Sequence, residues 1–246
     1  VVVPVATSVQ LPHNVPNPAQ LVGDAEPFTH LSGDGKSVLL VHESKLYAYK
    51  LDGGSWAPQG PNGGVITDQL VEPAGSRYCA INQDGTVVSF MIGVQTWVYR
   101  FDGTGGTSGT GTWVPKGSVD TPVAIADDTT GVLYVTLSSD GNSVMCRGSD
   151  GRNAVYDYDA TLNTWSNVFG GFPVSGQYEL KYGRISADGR HVLGVMEDVN
   201  NMRQVQVFVK TNSEENGAEW VARGGLQEGP IQSGVLPQLS GDGLFM

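Results

Sequence analysis

Charge is scarce in this 246-residue sequence: 16% of it is Asp, Glu, Lys or Arg, against roughly 25% in ordinary globular proteins. The 14 basic residues are outnumbered by 25 acidic ones, for a net charge of −11. That balance disfavours a phosphate-backbone partner and insertion into an anionic membrane. Cysteine is nearly missing. Cys79 and Cys146 are the only two, too few for a disulfide framework or a Cys-based zinc site. Both sit in apolar, strand-like stretches, so the default reading is a pair of buried free thiols rather than a bridge. No uncharged, proline-free run approaches the length of a spanning helix, and a soluble chain is expected. No Asn-x-Ser/Thr sequon occurs, which counts against a secreted glycoprotein. The first residue is Val1 rather than Met, so the compartment is not legible from the N-terminus.

Active-site patterns are missing too. There is no Gly-x-Ser-x-Gly elbow, phosphate loop or dinucleotide glycine fingerprint. Gly103–Gly109 is glycine-rich, but no Lys or helix signal follows it, so it reads as a surface loop. His13, His30, His42 and His191 have no metal-ligand spacing. Only His30 and His42 can be imagined meeting, across the Asp34-Gly35 hairpin, and two surface histidines are the preferred reading. The carboxylate pairs Asp127-Asp128, Glu197-Asp198 and Glu214-Glu215 fall in expected loops, and neighbours on a strand point to opposite faces. No catalytic residue, cofactor or metal is therefore expected, and the chain is not read as an enzyme.

Glycine (34) and proline (13) are plentiful, which excludes long helices and asks for many turns. Hydrophobic residues make up 39%, enough for a core. Most of the glycine belongs to a repeat. Leu31-Ser-Gly-Asp-Gly35 recurs as Ile81-Asn-Gln-Asp-Gly85, Leu137-Ser-Ser-Asp-Gly141, Ile185-Ser-Ala-Asp-Gly189 and Leu239-Ser-Gly-Asp-Gly243. Four residues after each of the first four Asp comes Val38, Val88, Val144 or Val192, and then Tyr49, Tyr99, Tyr156 or Phe208 in an alternating run. Each unit reaches a tryptophan, Trp56, Trp113, Trp165 or Trp220, followed by Gly60, Gly117, Gly170 or Gly224.

Asp-Gly between β-rich runs is a hairpin signal of the type I′ kind, in which both central residues need φ > 0. The run Ser37–Val41 reads as a strand buried on both faces, and Lys45–Lys50 as its alternating neighbour. A lone Asp before Gly is a turn residue far more often than a calcium ligand. A unit of about 50 residues with up to four strands has the size of a propeller blade. The expected fold is all-β, with about four propeller-blade-like repeats in antiparallel sheets, open or completed by an exchanged strand. The four repeat tryptophans are expected to pack between units. Trp97 falls outside the pattern and is expected to be half-buried.

The repeats fall near residues 24–75, 76–130, 131–178 and 179–232, with a partial fifth at 233–246. Residues 1–23 form an uncharged arm punctuated by Pro4, Pro12, Pro16 and Pro18, and Gly229–Gly241 is uncharged as well. An apolar arm of this kind is expected to lie extended on something apolar. Three readings stay open: the arm completes the last blade, the chain is part of a longer one with more blades, or arm and edge dock on a neighbouring copy.

The pattern Leu-Ser-x-Asp-Gly…Val…Val-Tyr-x-Tyr-Asp…Trp, clearest from Leu137 to Trp165, resembles the integrin-like FG-GAP propeller repeats over residues 24–246. It is most similar to the long, calcium-poor versions found in diatoms and other algae. The family's acidic calcium loop and its Phe-Gly and Gly-Ala-Pro elements are missing here, so its metal site does not carry over. Within that group, a short four-unit chain with apolar ends is similar to the shell proteins of the diatom pyrenoid. That likeness implies a non-enzymatic protein that joins copies of itself into a sheet around condensed Rubisco, in the chloroplast. The assembly interface is then expected at Val1, Val3, Val5, Leu11, Leu244, Phe245 and Met246. The alternative is a monomeric propeller-type module that binds a protein or carbohydrate.

Overall fold

The structure, a computed structural model, describes residues 28–42, 45–68, 79–92, 95–103, 111–117, 132–148, 153–169, 178–213 and 217–228. They build four antiparallel sheets, one per repeat. Unit one holds β1 (Phe28–Leu31), β2 (Ser37–His42), β3 (Lys45–Asp52) and β4 (Ser55–Pro58), with β5 (Val65–Thr67) also on β3. Unit two holds β6 (Cys79–Ile81), β7 (Val87–Ile92), β8 (Gln95–Asp102) and β9 (Thr112–Pro115). Unit three holds β10 (Val132–Leu137), β11 (Ser143–Gly148), β12 (Asn153–Asp159) and β13 (Thr164–Phe169). Unit four holds β14 (Tyr178–Ile185), β15 (His191–Asp198), β16 (Arg203–Ser213) and β17 (Gly217–Glu228). Each sheet is a meander in chain order, and the first strands β1, β6, β10 and β14 stand side by side.

The register explains the repeat. Leu31, Ile81, Leu137 and Ile185 pair with Val38, Val88, Val144 and Val192, which pair in turn with Tyr49, Tyr99, Tyr156 and Phe208. Residues opposite each other across antiparallel strands project to the same side, so each unit carries this row on one face. In units two to four the row is turned toward the preceding unit. The core consists of three clusters, one at each joint. At the first, Ile81, Val88, Tyr99 and Trp113 pack with Leu39, Val41, Leu46 and Ala48. At the second, Leu137, Val144, Tyr156 and Trp165 pack with Val87, Met91 and Val98. At the third, Ile185, Val192, Phe208 and Trp220 pack with Met145 and Val155. Each buried large side chain contributes roughly 1.5–3 kcal/mol, so stability resides between units as much as within them.

The β2 segment is buried on both faces, as its apolar run predicts, and both cysteines are free and buried. Burial pushes both thiols up to about 12, which leaves them inert at neutral pH. Trp97 is half-buried against the first joint.

Two expectations are corrected. The Asp-Gly hairpins are not type I′: only the glycine is left-handed, at φ 70°, 73°, 68° and 70° for Gly35, Gly85, Gly141 and Gly189. The amides of Gly35, Gly85, Gly141 and Gly189 donate to the carbonyl three residues back, in a loop of five residues rather than two. Glu197-Asp198 ends strand β15 instead of lying in a loop. In keeping with the preferred reading, His30 stands opposite Leu39 and His42 opposite Lys45, so the two do not meet. The arm, the partial fifth unit and the pairs Asp127-Asp128 and Glu214-Glu215 lie outside the described residues.

Candidate functional site

The distinctive chemistry of the repeat gathers at the joints between units. Within each turn, Ser32, Ser138 and Ser186 donate through Oγ to Asp34, Asp140 and Asp188 at 2.5–2.6 Å. The same hydroxyls accept the amides of Ser37, Ser143 and His191 five residues on. Asn82 replaces Ser in unit two, its Oδ1 accepting from Thr86 and Val87. Each Asp also accepts the amide two residues ahead, from Lys36, Thr86, Asn142 or Arg190. A hydroxyl relay of this kind satisfies buried amides that a two-residue turn would not have left open.

These bonds hold carboxylates in their charged form. The Ser32 hydroxyl, with the Lys36 amide, keeps Asp34 below the usual range against a modest penalty of burial. For Asp140 and Asp188 burial opposes the charge most, yet bonds from Ser138 and Asn142, and from Ser186 and Arg190, outweigh it. Groups depressed in the folded state stabilise it fully above their unfolded value, and that stabilisation is lost as pH falls through the folded value. The melting temperature is therefore expected to drop steeply below about pH 4. Circular dichroism melts from pH 7 to 2.5 check this, and Ser138→Ala should lower stability by about 1 kcal/mol while blunting the acid limb. A flat profile would contradict the relay.

Consecutive turns are laced together through their backbone. Asp34 N–H donates to Gln83 O at 2.9 Å, Gln83 N–H to Ser139 O at 3.1 Å and Ser139 N–H to Ala187 O at 2.9 Å. In units two to four the turn glycines sit where no side chain fits. A Cβ on Gly85 would fall 2.2 Å from Ser37 Cβ, on Gly141 2.6 Å from Val87 Cβ and on Gly189 3.1 Å from Ser143 Cβ.

A second contact closes the first two joints near the outer strand. The indole N–H of Trp113 donates to Gln59 O at 2.8 Å and that of Trp165 to Lys116 O at 2.6 Å. The rings lie on the next residues, Gly60 and Gly117, where a Cβ would be 3.2 and 2.8 Å from the indole Cδ1. Gln59 and Lys116 also reach forward. Gln59 Nε2 donates to Gly85 O at 3.1 Å, and Lys116 Nζ to Gly141 O at 2.5 Å and Asn142 Oδ1 at 2.6 Å. The buried ammonium stands 4.6 Å from the Tyr158 ring centre and 5.6 Å from that of Trp165, a cation–π arrangement. Burial pushes Lys116 down to about 8, against the opposing pull of the Asp140 charge.

The third joint adds ion pairs instead. Arg147 of unit three bonds Glu179 at 2.8 Å and the Lys181 carbonyl of unit four, while Lys210 returns to Asp157. Glu197 holds Arg203 at 2.9 Å and Lys181 at 3.4 Å, and Arg203 in the first place keeps its carboxyl below the usual range. Asp198 is turned away to cap the β15–β16 turn through Asn200 and Met202.

The four-sheet repeat with its inner row of first strands matches solved structures. A Bacteroides fragilis protein named for 6-phosphogluconolactonase activity superposes with a TM-score of 0.50 at 17% identity, over 80% of this chain and 53% of its own. The fold is propeller-like. Hsv2 of Kluyveromyces lactis gives 0.47 at 17% identity, over 78% and 51%. The periplasmic gluconolactonase of Pseudomonas aeruginosa gives 0.44 at 16%, over 82% and 53%. The chain thus spans about half the length of the structures it matches. No protein-family model and no curated protein matches it.

The terminal residues singled out from sequence, Val1, Val3, Val5, Leu11, Leu244, Phe245 and Met246, lie outside the described residues. Gln59 and Lys116 escape a reading of the sequence, although their shared place before a unit-ending glycine is a usable signal. Arg147, Asp157 and Lys210 serve one joint only and leave no periodic trace. No helix among the described residues is long and apolar enough to cross a membrane.

Proposed function

We propose that this chain is a non-enzymatic structural protein that joins copies of itself into a sheet or shell through its terminal arm and its strand edges. The observation that carries this reading is the outer edge of β17. That strand runs twelve residues, pairs with β16 on one side, and is paired by no described strand on the other. The matching edges β4 and β9 are only four residues long and end at Pro58 and Pro115, which blunts them against pairing. A long open edge is a template for another chain. The low charge fraction weakens the repulsion that keeps proteins apart.

The same reading accounts for the use of Ser, Asp, Trp and Lys in joints rather than around a pocket. Lactonase activity belongs to the proteins so named, and likeness at 17% identity carries fold alone. A place around condensed Rubisco in the chloroplast rests on the sequence resemblance by itself. Light scattering and electron microscopy of the chain, with and without residues 1–20, test the proposal. Concentration-dependent assembly that weakens on truncation, with the fold intact, is expected. Monomers at every concentration in both forms would sink it, in favour of a monomeric module that binds a protein or carbohydrate.

A further inference from the structure

The first two internal joints share one geometry, and the described units carry an unmatched half of it at each end. On the open side of unit four, Gly224 takes the place of Gly60 and Gly117, four residues after its tryptophan and also left-handed at φ 75°. The Cβ positions of Gly60 and Gly117 are met by Trp113 and Trp165, whereas among the described residues no atom lies within 4 Å of a Cβ at Gly224. Arg223 beside it is exposed. On the open side of unit one the complementary half is uncovered. Leu31 is 60% exposed where Ile185, its equivalent, is 8%. A Cβ at Gly35 would meet no atom of the described residues within 4 Å, while Gly85, Gly141 and Gly189 press on the preceding unit. Leu51, paired with Trp56 as Phe101 is with Trp113, is 38% exposed.

From this we infer that a second copy of this chain docks head to tail: unit one of one copy on unit four of the other, with Trp56 seated on Gly224. The inference rests on the self-association proposed above and names its contact. The first two internal joints supply the template, since each places a tryptophan on a left-handed glycine and the turn of one unit beside the next. The turn-to-turn backbone series runs in one direction and among the described residues stops at Ala187, the side a further unit would continue. The four described units cover about half of the matched structure, so a second set of units can be added at their open sides. The interface is heterologous, so two different defects should complement each other.

The test uses the 1–246 chain with Trp56→Ala, which removes the plug, and Gly224→Asn, which fills the seat with a residue that tolerates the left-handed region. Analytical ultracentrifugation should show wild-type association, and each variant alone weakened about 30-fold or more, as expected for loss of a central tryptophan. An equimolar mixture should recover a one-to-one pair through the one intact plug and the one intact seat. Leu31→Glu, at an exposed site, repeats the first arm if Trp56→Ala does not fold. Wild-type assembly that survives Trp56→Ala or Leu31→Glu in a folded chain overturns this contact and leaves the assembly reading standing. So does assembly lost only on removal of residues 1–23, and so does a mixture that fails to pair. A wild-type chain that stays monomeric removes both.

Discussion

Gly141→Ala is expected to destabilise the chain by about 2–5 kcal/mol, and Gly35→Ala by only about 1–2 kcal/mol. The two glycines hold the same place in the repeat and nearly the same conformation, φ 68° and 70°. A side chain at either incurs the left-handed cost. Only at Gly141 does the new methyl also collide with a neighbouring unit, at 2.6–2.8 Å from the Cβ and both γ-carbons of Val87. Val87 is buried, paired with Arg100 and packed in the second joint, so it has no room to retreat. The difference between the two substitutions isolates the overlap at the joint from backbone strain. Chemical unfolding of both variants checks it. Equal losses would mean that the units touch less closely than the geometry states.

The same contrast between Gly141 and Gly35 shows why so much of the fold is legible in the amino-acid pattern. Leu, Val, Tyr and Trp recur because one face of every unit must fit the unit before it, and the same fit needs the same residues. The turn glycine recurs for two reasons at once, its left-handed backbone and the absence of space for a Cβ. What stays hidden follows from the same logic in reverse. The turn type is misread because Asp-Gly alone fits a two-residue hairpin, whereas the bonds between Ser32 and Asp34, and from Ser37 to Ser32, stabilise a longer loop. The forward bond to the turn carbonyl uses an amide in Gln59 and an ammonium in Lys116, two chemistries that no residue pattern unites. The Arg147–Glu179 and Lys210–Asp157 pairs occur once each, and a feature without period cannot be found by looking for one.

Lys116 offers the sharpest test of the joint, because its charge can be titrated. Lys116→Ala should cost about 2–4 kcal/mol, since it opens a cavity under Tyr158 and Trp165 and leaves the Gly141 carbonyl without its donor. Lys116→Gln should cost less, about 1 kcal/mol or nothing, because unit one makes the equivalent bond with the amide of Gln59 and a neutral side chain has no charge to desolvate. The wild type differs from the glutamine variant in pH dependence as well. The folded value of about 8 lies below the ordinary lysine value of 10.5. Between these two the unfolded chain binds the extra proton, so stability rises with pH. Below about pH 8 both states are protonated and the folded state carries the whole cost of the buried ammonium. Relative to Lys116→Gln, the wild type should therefore gain about 2 kcal/mol from pH 7.5 to 10.5, discounted for the water that reaches the ammonium. Taking the difference between the two proteins cancels the tyrosines and cysteines, which titrate alike in both. Urea unfolding at five or six pH values would reveal the gain. Parallel curves would mean that the ammonium is solvated, and the second joint would then be held by the tryptophan and glycine contact with no help from the lysine.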